Sequence, residues 1–149
     1  MNNRAENTLK IEFPAKSVNE AFARAAVTAF AASRDPNVSV VADVKTAVSE
    51  AVTNAVVHAY PESADRDKCP VYIQCSLTRD GVLTVRIRDK GKGIEDVDLA
   101  MQPLYTTDGP GERSGMGFTI MQTLCDKVTV RSKPGKGTCV TLKKRLIGP

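Results

Sequence analysis

Aromatic residues are scarce in this sequence of 149 residues, which has four phenylalanines, three tyrosines and no tryptophan. Its 21 basic and 17 acidic residues are scattered along the chain and give a net charge of +4. No run of Lys and Arg is interleaved with aromatic side chains, which is the pattern typical of nucleic-acid-binding surfaces. We therefore expect no direct contact with nucleic acid.

Long apolar runs are also missing. No segment approaches the ~20 apolar residues that a membrane-spanning helix needs, and the first ten residues lack the apolar core of a signal peptide. The cysteines show neither C-x-x-C spacing nor a His-rich neighbourhood, so we expect no zinc site and no disulfide framework. They are Cys69, Cys75, Cys125 and Cys139. These absences predict a reduced, cytoplasmic protein that does not enter a membrane.

The chain contains enough apolar surface for one domain spanning residues 1–149, with 42% hydrophobic residues. Apolar spacing predicts five strands, at 8–13 at the sheet edge, 71–78 and 82–88 as a hairpin, and 127–132 and 137–144 as a pair. It also predicts helices from 17 to 35–37, at about 40–59, at about 96–101 and at 116–124. An irregular stretch is expected at 102–115. Together they indicate an α+β fold. It is a two-layer α/β sandwich whose mixed, mainly antiparallel sheet is covered on one face by helices.

The first helix has two possible interpretations. Ser17 and Glu20 form the sequence of a capping box at its start. We expect its inward residues to be Val18, Ala21, Phe22, Ala25, Ala26, Ala29 and Phe30. Its outer face then carries only Glu20 and Arg24 among Ala23, Val27 and Ala31. This face is either an ordinary surface with one i,i+4 ion pair or a contact surface on which Arg24 anchors a protein partner.

A polar row runs along the long helix. Glu50, Asn54 and His58 recur every fourth residue, at the rim of an apolar stripe rather than opposite it. A solvated face is the alternative, but an unpartnered polar group beside a core is costly. The Asn oxygen suits Mg²⁺, which takes few protein ligands and keeps its waters. Glu50, one turn away, could accept a proton from an attacking hydroxyl, whereas a lone histidine is more often structural.

Two glycine-bearing segments are candidates for binding. Asp89-x-Gly91-x-Gly93 ends a strand, where the carboxylate can accept a hydrogen bond from an exocyclic amine and glycines admit close approach to a flat ring. A plain turn is the alternative. The segment 113–117 precedes a helix, whose first amides can form an anion cradle; its alternative is a flexible loop capped by Ser114. It consists of Arg113, Ser114, Gly115, Met116 and Gly117.

Several common nucleotide motifs do not occur. The sequence has no G-x-x-x-x-G-K-[ST], no G-x-G-x-x-G, no H-R-D and no D-F-G, which excludes the Walker loop, the Rossmann fingerprint and the protein-kinase set. The order of the motifs that are present is informative. A helix with E-x-x-x-N, then D-x-G-x-G, a long loop, G-x-G before a helix and Gly137-Thr138 resembles the gyrase, histidine-kinase and MutL ATPase superfamily.

The resemblance implies an ATP site and assigns roles to residues. Asn54 would hold Mg²⁺, Asp89 would read the adenine amine, Gly91 and Gly93 would line the base, and Thr138 would support it. A lid at about residues 102–115 would cover the phosphates. The expected phosphate contacts are Thr106, Thr107, Arg113, Ser114, Gly115, Met116 and Gly117.

The match narrows further. The strings SEAVTNAVVHAY, RIRDKGKGI, QPLYTT and ERSGMGFTIM resemble the sporulation anti-sigma factors of spore-forming bacteria. This resemblance implies a serine kinase that uses Mg-ATP and also binds and inhibits a sigma factor. Its substrate would be a serine of an anti-anti-sigma factor, with Glu50 as catalytic base. Apart from the resemblance, Arg24 on the sparsely charged face of the first helix and Arg113 in the lid are candidate partner contacts. A homodimer is expected if edge strand 9–13 pairs across a two-fold axis.

Three alternatives stay open. The chain could be a binding module that uses bound nucleotide to shape a contact surface without phosphotransfer. It could be the related stress-response anti-sigma kinase. It could also be the ATPase part of a sensor kinase or of a mismatch-repair-type ATPase. His58 lies within the expected ATP helix rather than on a dimerisation helix, which favours transfer to a separate protein hydroxyl over the sensor kinase.

Overall fold

The structure is a computed structural model that describes residues 4–102 and 117–148. Its strands are β1 (Ala5–Pro14), β2 (Pro70–Thr78), β3 (Val82–Asp89), β4 (Lys127–Lys133) and β5 (Gly137–Arg145). Its α-helices are α1 (Val18–Ala32), α2 (Val38–Thr53), α3 (Val97–Ala100) and α4 (Gly117–Leu124). A π-helical turn, Asn54–His58, continues α2, and a 3₁₀ turn spans Arg66–Lys68. The predicted strands and helices are all present with boundaries shifted by a few residues, whereas the predicted irregular stretch 102–115 lies almost wholly outside the described residues.

The five strands form one sheet in the order β1-β2-β3-β5-β4. The predicted α+β sandwich is confirmed, and every pairing among the described strands is antiparallel. β1 lies at the edge, as expected. No helix in the described ranges is both long and apolar enough to span a membrane.

The core lies between the sheet and the helices. Alternate side chains of β2 and β3 are fully buried, among them Ile73, Leu77, Leu83 and Ile87. Each buried side chain of this size contributes roughly 1.5–3 kcal/mol through removal from water. The facing stripe of α2 is equally buried and consists of Val44, Ala47, Val48, Ala51 and Val52. This packing fixes the end of α2 beside the end of β3, where the polar residues lie.

The predicted orientation of α1 is wrong. Ala23, Val27 and Ala31 are the buried row, whereas Val18 and Phe22 are 68% and 70% exposed. The buried row repeats every fourth residue and consists of small side chains, so α1 can approach α2 closely. Most of the predicted inward row, including Phe22, faces water, whereas Phe30 at its end packs partly against the core.

The predicted capping box at the start of α1 is also wrong. Ser17 has helical backbone angles and its side chain makes no capping hydrogen bond. The Glu20 carboxylate instead accepts a hydrogen bond from the Thr53 hydroxyl of α2, at 2.9 Å. A contact between two helices therefore replaces the local one that the sequence predicted.

Candidate functional site

A cavity of about 560 Å³ opens between the end of α2 and the ends of the central strands. Its walls come from α2 and the π-helical turn, the segment after β3, α3, the first residues of α4 and the β4–β5 turn. Its lining includes Asn54, His58, Asp89, Lys92, Gly93, Ile94, Leu99, Gly117, Phe118 and Thr138. The fold thus brings five separately predicted residues to one cavity, namely Asn54, Asp89, Gly93, Gly117 and Thr138.

Asn54 begins the π-helical turn, at the point where regular α-helical hydrogen bonding stops. The Asn54 carbonyl accepts the Ala59 N–H at 2.9 Å, five residues along the chain. Both polar atoms of the Asn54 side chain, Oδ1 and Nδ2, are buried and have no hydrogen-bond partner among the described residues. A buried polar group left unpaired costs about 1–3 kcal/mol, so this amide is suited to a ligand that the cavity receives.

Asp89 is the last residue of β3 and is only 6% exposed. Its Oδ1 accepts two backbone N–H groups, from Gly91 at 2.9 Å and from Thr138 at 3.2 Å. Burial raises the pKa of this carboxyl, and the two backbone hydrogen bonds partly oppose the rise. Both of these hydrogen bonds use Oδ1, which leaves Oδ2 as an acceptor for a donor in the cavity.

Ser132, which the sequence patterns did not indicate, connects Ile94 in the segment after β3 to Gly137 and Thr138 of β5. Its hydroxyl donates to the Gly137 carbonyl at 2.9 Å and lies 2.8 Å from the Thr138 hydroxyl. It also accepts the Ile94 N–H at 2.8 Å. The position of Thr138 therefore depends on a serine of the neighbouring strand. No local motif marks Ser132, because its role comes from strand pairing opposite Thr138.

Both glycines of the segment after β3 allow close backbone packing. A Cβ at Gly91 would lie 2.2 Å from the Ala59 carbonyl oxygen, and Gly91 does not line the cavity. Gly93 does line it, has φ +75° and packs against the Lys133 carbonyl. The segment after β3 is further fixed by the Lys92 N–H, which donates to the Ala59 carbonyl at 2.9 Å. These contacts hold the loop against the end of the π-helical turn.

Replacing Gly93 with Ala should destabilise the protein by about 3 kcal/mol or more, because the added Cβ would lie 2.0 Å from the Lys133 carbonyl oxygen. Gly135→Ala is the matched control. Gly135 also has positive φ, +76°, but has nothing within 4 Å of an added Cβ. That variant should lose only about 1 kcal/mol. Urea unfolding measures both, and equal losses would mean that the close contact at Gly93 is not rigid.

The remaining predicted residues lie in different places. Glu50 is half-buried on α2, one turn before Asn54, and is not among the residues that line the cavity. Arg24 is half-buried on α1. Gly117 is buried at the start of α4 and lines the cavity. The other expected phosphate and lid contacts lie outside the described residues, namely Thr106, Thr107, Arg113, Ser114, Gly115 and Met116.

The cysteines and the carboxylates form no metal centre in the part of the chain that the structure describes. All four cysteines have free thiols, and no group of three or more His, Cys, Asp or Glu side chains there could hold a metal ion.

The fold and the cavity define a class of nucleotide-binding domain. The family model of the histidine kinase-like ATPase domain matches residues 13–144. The chain is 50% identical over 138 residues to the anti-sigma F factor of Caldanaerobacter subterraneus subsp. tengcongensis, covering 93% of each. It is also 50% identical over 140 residues to an anti-sigma F factor of Clostridium botulinum, covering 94% of this chain and 95% of the relative. The chain therefore belongs to the histidine kinase-like ATPase family and, within it, to the anti-sigma F factors.

A solved structure agrees on the fold. The RsbU and RsbW domains of a Mycobacterium tuberculosis protein superpose with a TM-score of 0.69 at 24% identity, over 96% of this chain and 33% of that one. At this identity the similarity shows the fold alone. The family assignment rests on the anti-sigma F relatives and on the ATPase domain model.

Proposed function

We propose that this protein is a serine kinase and anti-sigma factor. In this proposal it binds Mg-ATP in the cavity, transfers the terminal phosphoryl group to a serine of an anti-anti-sigma factor, and separately binds and inhibits a sporulation sigma factor. The single observation that carries the proposal is the buried Asn54 amide, whose two polar atoms have no partner among the described residues. It lies in the same cavity as the buried Asp89 carboxylate.

The residues of the cavity fit a magnesium-bound adenine nucleotide. Asn54 offers a neutral oxygen, the kind of single protein ligand that Mg²⁺ accepts while keeping its waters. Asp89 Oδ2 would accept a hydrogen bond from the exocyclic amine of adenine. The two N–H groups that bond Oδ1 would hold the carboxylate in place. The backbone amides at the start of α4 would face the phosphates. Bound Mg²⁺ would neutralise charge on the phosphoryl oxygens.

Glu50 is the proposed general base. It lies one helical turn before Asn54, and the Glu50 carbonyl accepts the Asn54 N–H. A serine hydroxyl presented beside the cavity would give its proton to this carboxylate during transfer. The rest of catalysis would be positioning, since phosphoryl transfer asks for little covalent chemistry from the protein.

The second candidate is a nucleotide-dependent binding module that transfers nothing. The observation that favours it is that Glu50 does not line the cavity. Incubating the protein with ATP labelled at the terminal phosphate and with the purified anti-anti-sigma factor separates the two candidates. Label on a serine of the partner supports the kinase, whereas nucleotide binding with no labelled serine supports the module.

Partner contacts and assembly are further parts of the proposal. Arg24 on α1 and Arg113 would contact the protein partners. A homodimer could form through β1, since this strand pairs with β2 alone among the described strands and leaves one edge open. Both ideas rest on position in the fold and in the sequence.

Asn54→Ala should abolish the magnesium-dependent part of ATP binding and leave apo stability equal or higher by about 1 kcal/mol, because it removes an unpaired buried amide. Calorimetric titration with ATP, in the presence of magnesium and in the presence of a chelator, measures the magnesium-dependent binding. Urea unfolding measures the stability of the apo protein. Ser49→Ala is the control on the same helix, where the hydroxyl donates to the Lys45 carbonyl. A variant that binds Mg-ATP as tightly as the wild type would remove Asn54 from the site.

A further inference from the structure

The sheet face opposite the helices carries an accumulation of positive charge. Side chains alternate between the two faces along each strand. The helix-covered positions of β2 and β3 are buried, whereas the other face is mostly exposed or half-exposed, with Thr84 the exception. The other face carries Arg145, which is paired with Asp80 at 4.0 Å, and seven further exposed basic side chains, which we call the basic sheet face. They are Lys10, Arg86, Arg88, Lys127, Arg131, Lys133 and Lys143.

Strand pairing brings these residues together from distant parts of the sequence. Lys127 of β4 lies directly opposite Lys143 of β5. Arg86 lies between Gln74 of β2 and Thr141 of β5, and Lys10 of β1 lies opposite Gln74. Like charges directly opposite in neighbouring strands are destabilising, so this arrangement has a folding cost.

The face has almost no acid to offset that cost. Glu12 of β1 is the one acidic residue on the same face of the described strands. The ion pairs found within residues 4–102 and 117–148 use Lys16, Arg34, Lys144 and Arg145 instead. None of the seven basic side chains takes part in them. Within the described ranges, the positive charge of the basic sheet face is therefore left without an ion-paired acid.

We infer that the basic sheet face docks an acidic surface of a protein partner. The inference rests on the proposed function, in which this chain works through contacts with other proteins. Five strands spaced by ~4.8 Å and about 25 Å long present roughly 600 Å², close to the ~800 Å² per partner of an ordinary stable interface. Arginine is the basic residue best suited to such contacts, because its planar group binds carboxylates in a bidentate manner.

Other occupants fit the face less well. A second copy of the chain would place like charge against like charge. Single-stranded nucleic acid needs aromatic rings for stacking, and Tyr72, the aromatic residue on this face, already has the Arg88 guanidinium 4.4 Å from its ring centre. A flat sheet does not enter a DNA groove as a helix or two-stranded ribbon does. A lipid surface would favour exposed apolar anchors, and the exposed large apolar residues of the described chain lie outside the five strands.

The test uses a double charge reversal, Arg86→Glu with Lys143→Glu. The matched control is Lys45→Glu with Lys68→Glu, which changes the net charge equally at exposed positions off the sheet. Binding of the purified sigma factor and of the purified anti-anti-sigma factor is measured at low and high ionic strength. We expect the sheet variant to lose about tenfold or more in affinity for one partner, chiefly at low salt, and the control to lose little.

The other outcomes overturn the inference. Unchanged affinity for both partners removes the basic sheet face as their docking site, even if ATP binding and serine labelling proceed normally. Binding of a short DNA duplex or of vesicles of anionic phospholipid that only the sheet variant loses would reassign the face to phosphate groups. Altered self-association in sedimentation would reassign it to a second copy. If the wild type binds neither protein, the inference falls together with the proposed partners, whereas ATP binding tests the nucleotide site independently.

Discussion

Asp89→Asn is expected to weaken ATP binding about 100-fold or more. The Asn Oδ1 can still accept the Gly91 and Thr138 N–H groups that now bond Asp89, so the loop should keep its structure. The new Nδ2 then points where Oδ2 was, and a donor would meet the amine of adenine. Inosine triphosphate has a carbonyl at that ring position, so its affinity should fall less or even rise.

Calorimetry with the two nucleotides gives the measurement, and Asp98→Asn on α3, an exposed carboxylate outside the cavity lining, is the control. The pH dependence is a second readout. Burial raises the pKa of Asp89. On acidification, the wild type should therefore begin to lose ATP affinity at a higher pH than it would if Asp89 had the pKa of a free aspartate. The Asn variant should lack this dependence. Equal discrimination between the two nucleotides in both proteins would show that Asp89 does not read the base.

Glu50→Gln is expected to lower phosphoryl transfer about 10²- to 10⁴-fold while ATP binding stays unchanged. Gln has nearly the same shape, but it cannot accept the serine proton. Single-turnover labelling of the anti-anti-sigma factor measures transfer, and calorimetry measures binding. Glu62→Gln, in the loop before β2, is the control. Transfer at the wild-type rate would reject Glu50 as the base, and a parallel loss of ATP affinity would indicate a structural role instead.

Local patterns predicted most of the fold, and the order of the motifs predicted which residues line the cavity. Period-two alternation located the strands, and apolar spacing located α2, because burial against one layer leaves a strong periodic signal. Asn54 was marked by its place at the rim of an apolar stripe, whereas Asp89 taken alone also fitted a plain turn. The order of the motifs along the chain, and the resemblance based on it, selected Asp89. The cavity contains both, although their separation along the sequence is large.

Features that depend on tertiary packing could not be predicted. The prediction of how α1 is oriented failed because both of its apolar rows satisfy helical periodicity. Only the close approach to α2 selects the row of small residues. The predicted capping box of Ser17 and Glu20 failed because Glu20 accepts its hydrogen bond from Thr53 of another helix. Ser132 had no local signal at all. The basic sheet face was hidden because alternation separates its charges along the sequence, and strand pairing alone assembles them.

The π-helical turn at Asn54–His58 has a consequence for chain length. It contains one residue more than a regular α-helical turn closed at the same point, and an α-helix advances by about 100° per residue. Deleting Val57, which is exposed, would restore ordinary helical hydrogen bonding but rotate the Ala59 carbonyl away from the Lys92 N–H. The additional residue in the π-helical turn therefore keeps the Ala59 carbonyl aligned with the Lys92 N–H. This stretch should tolerate substitutions far better than deletions.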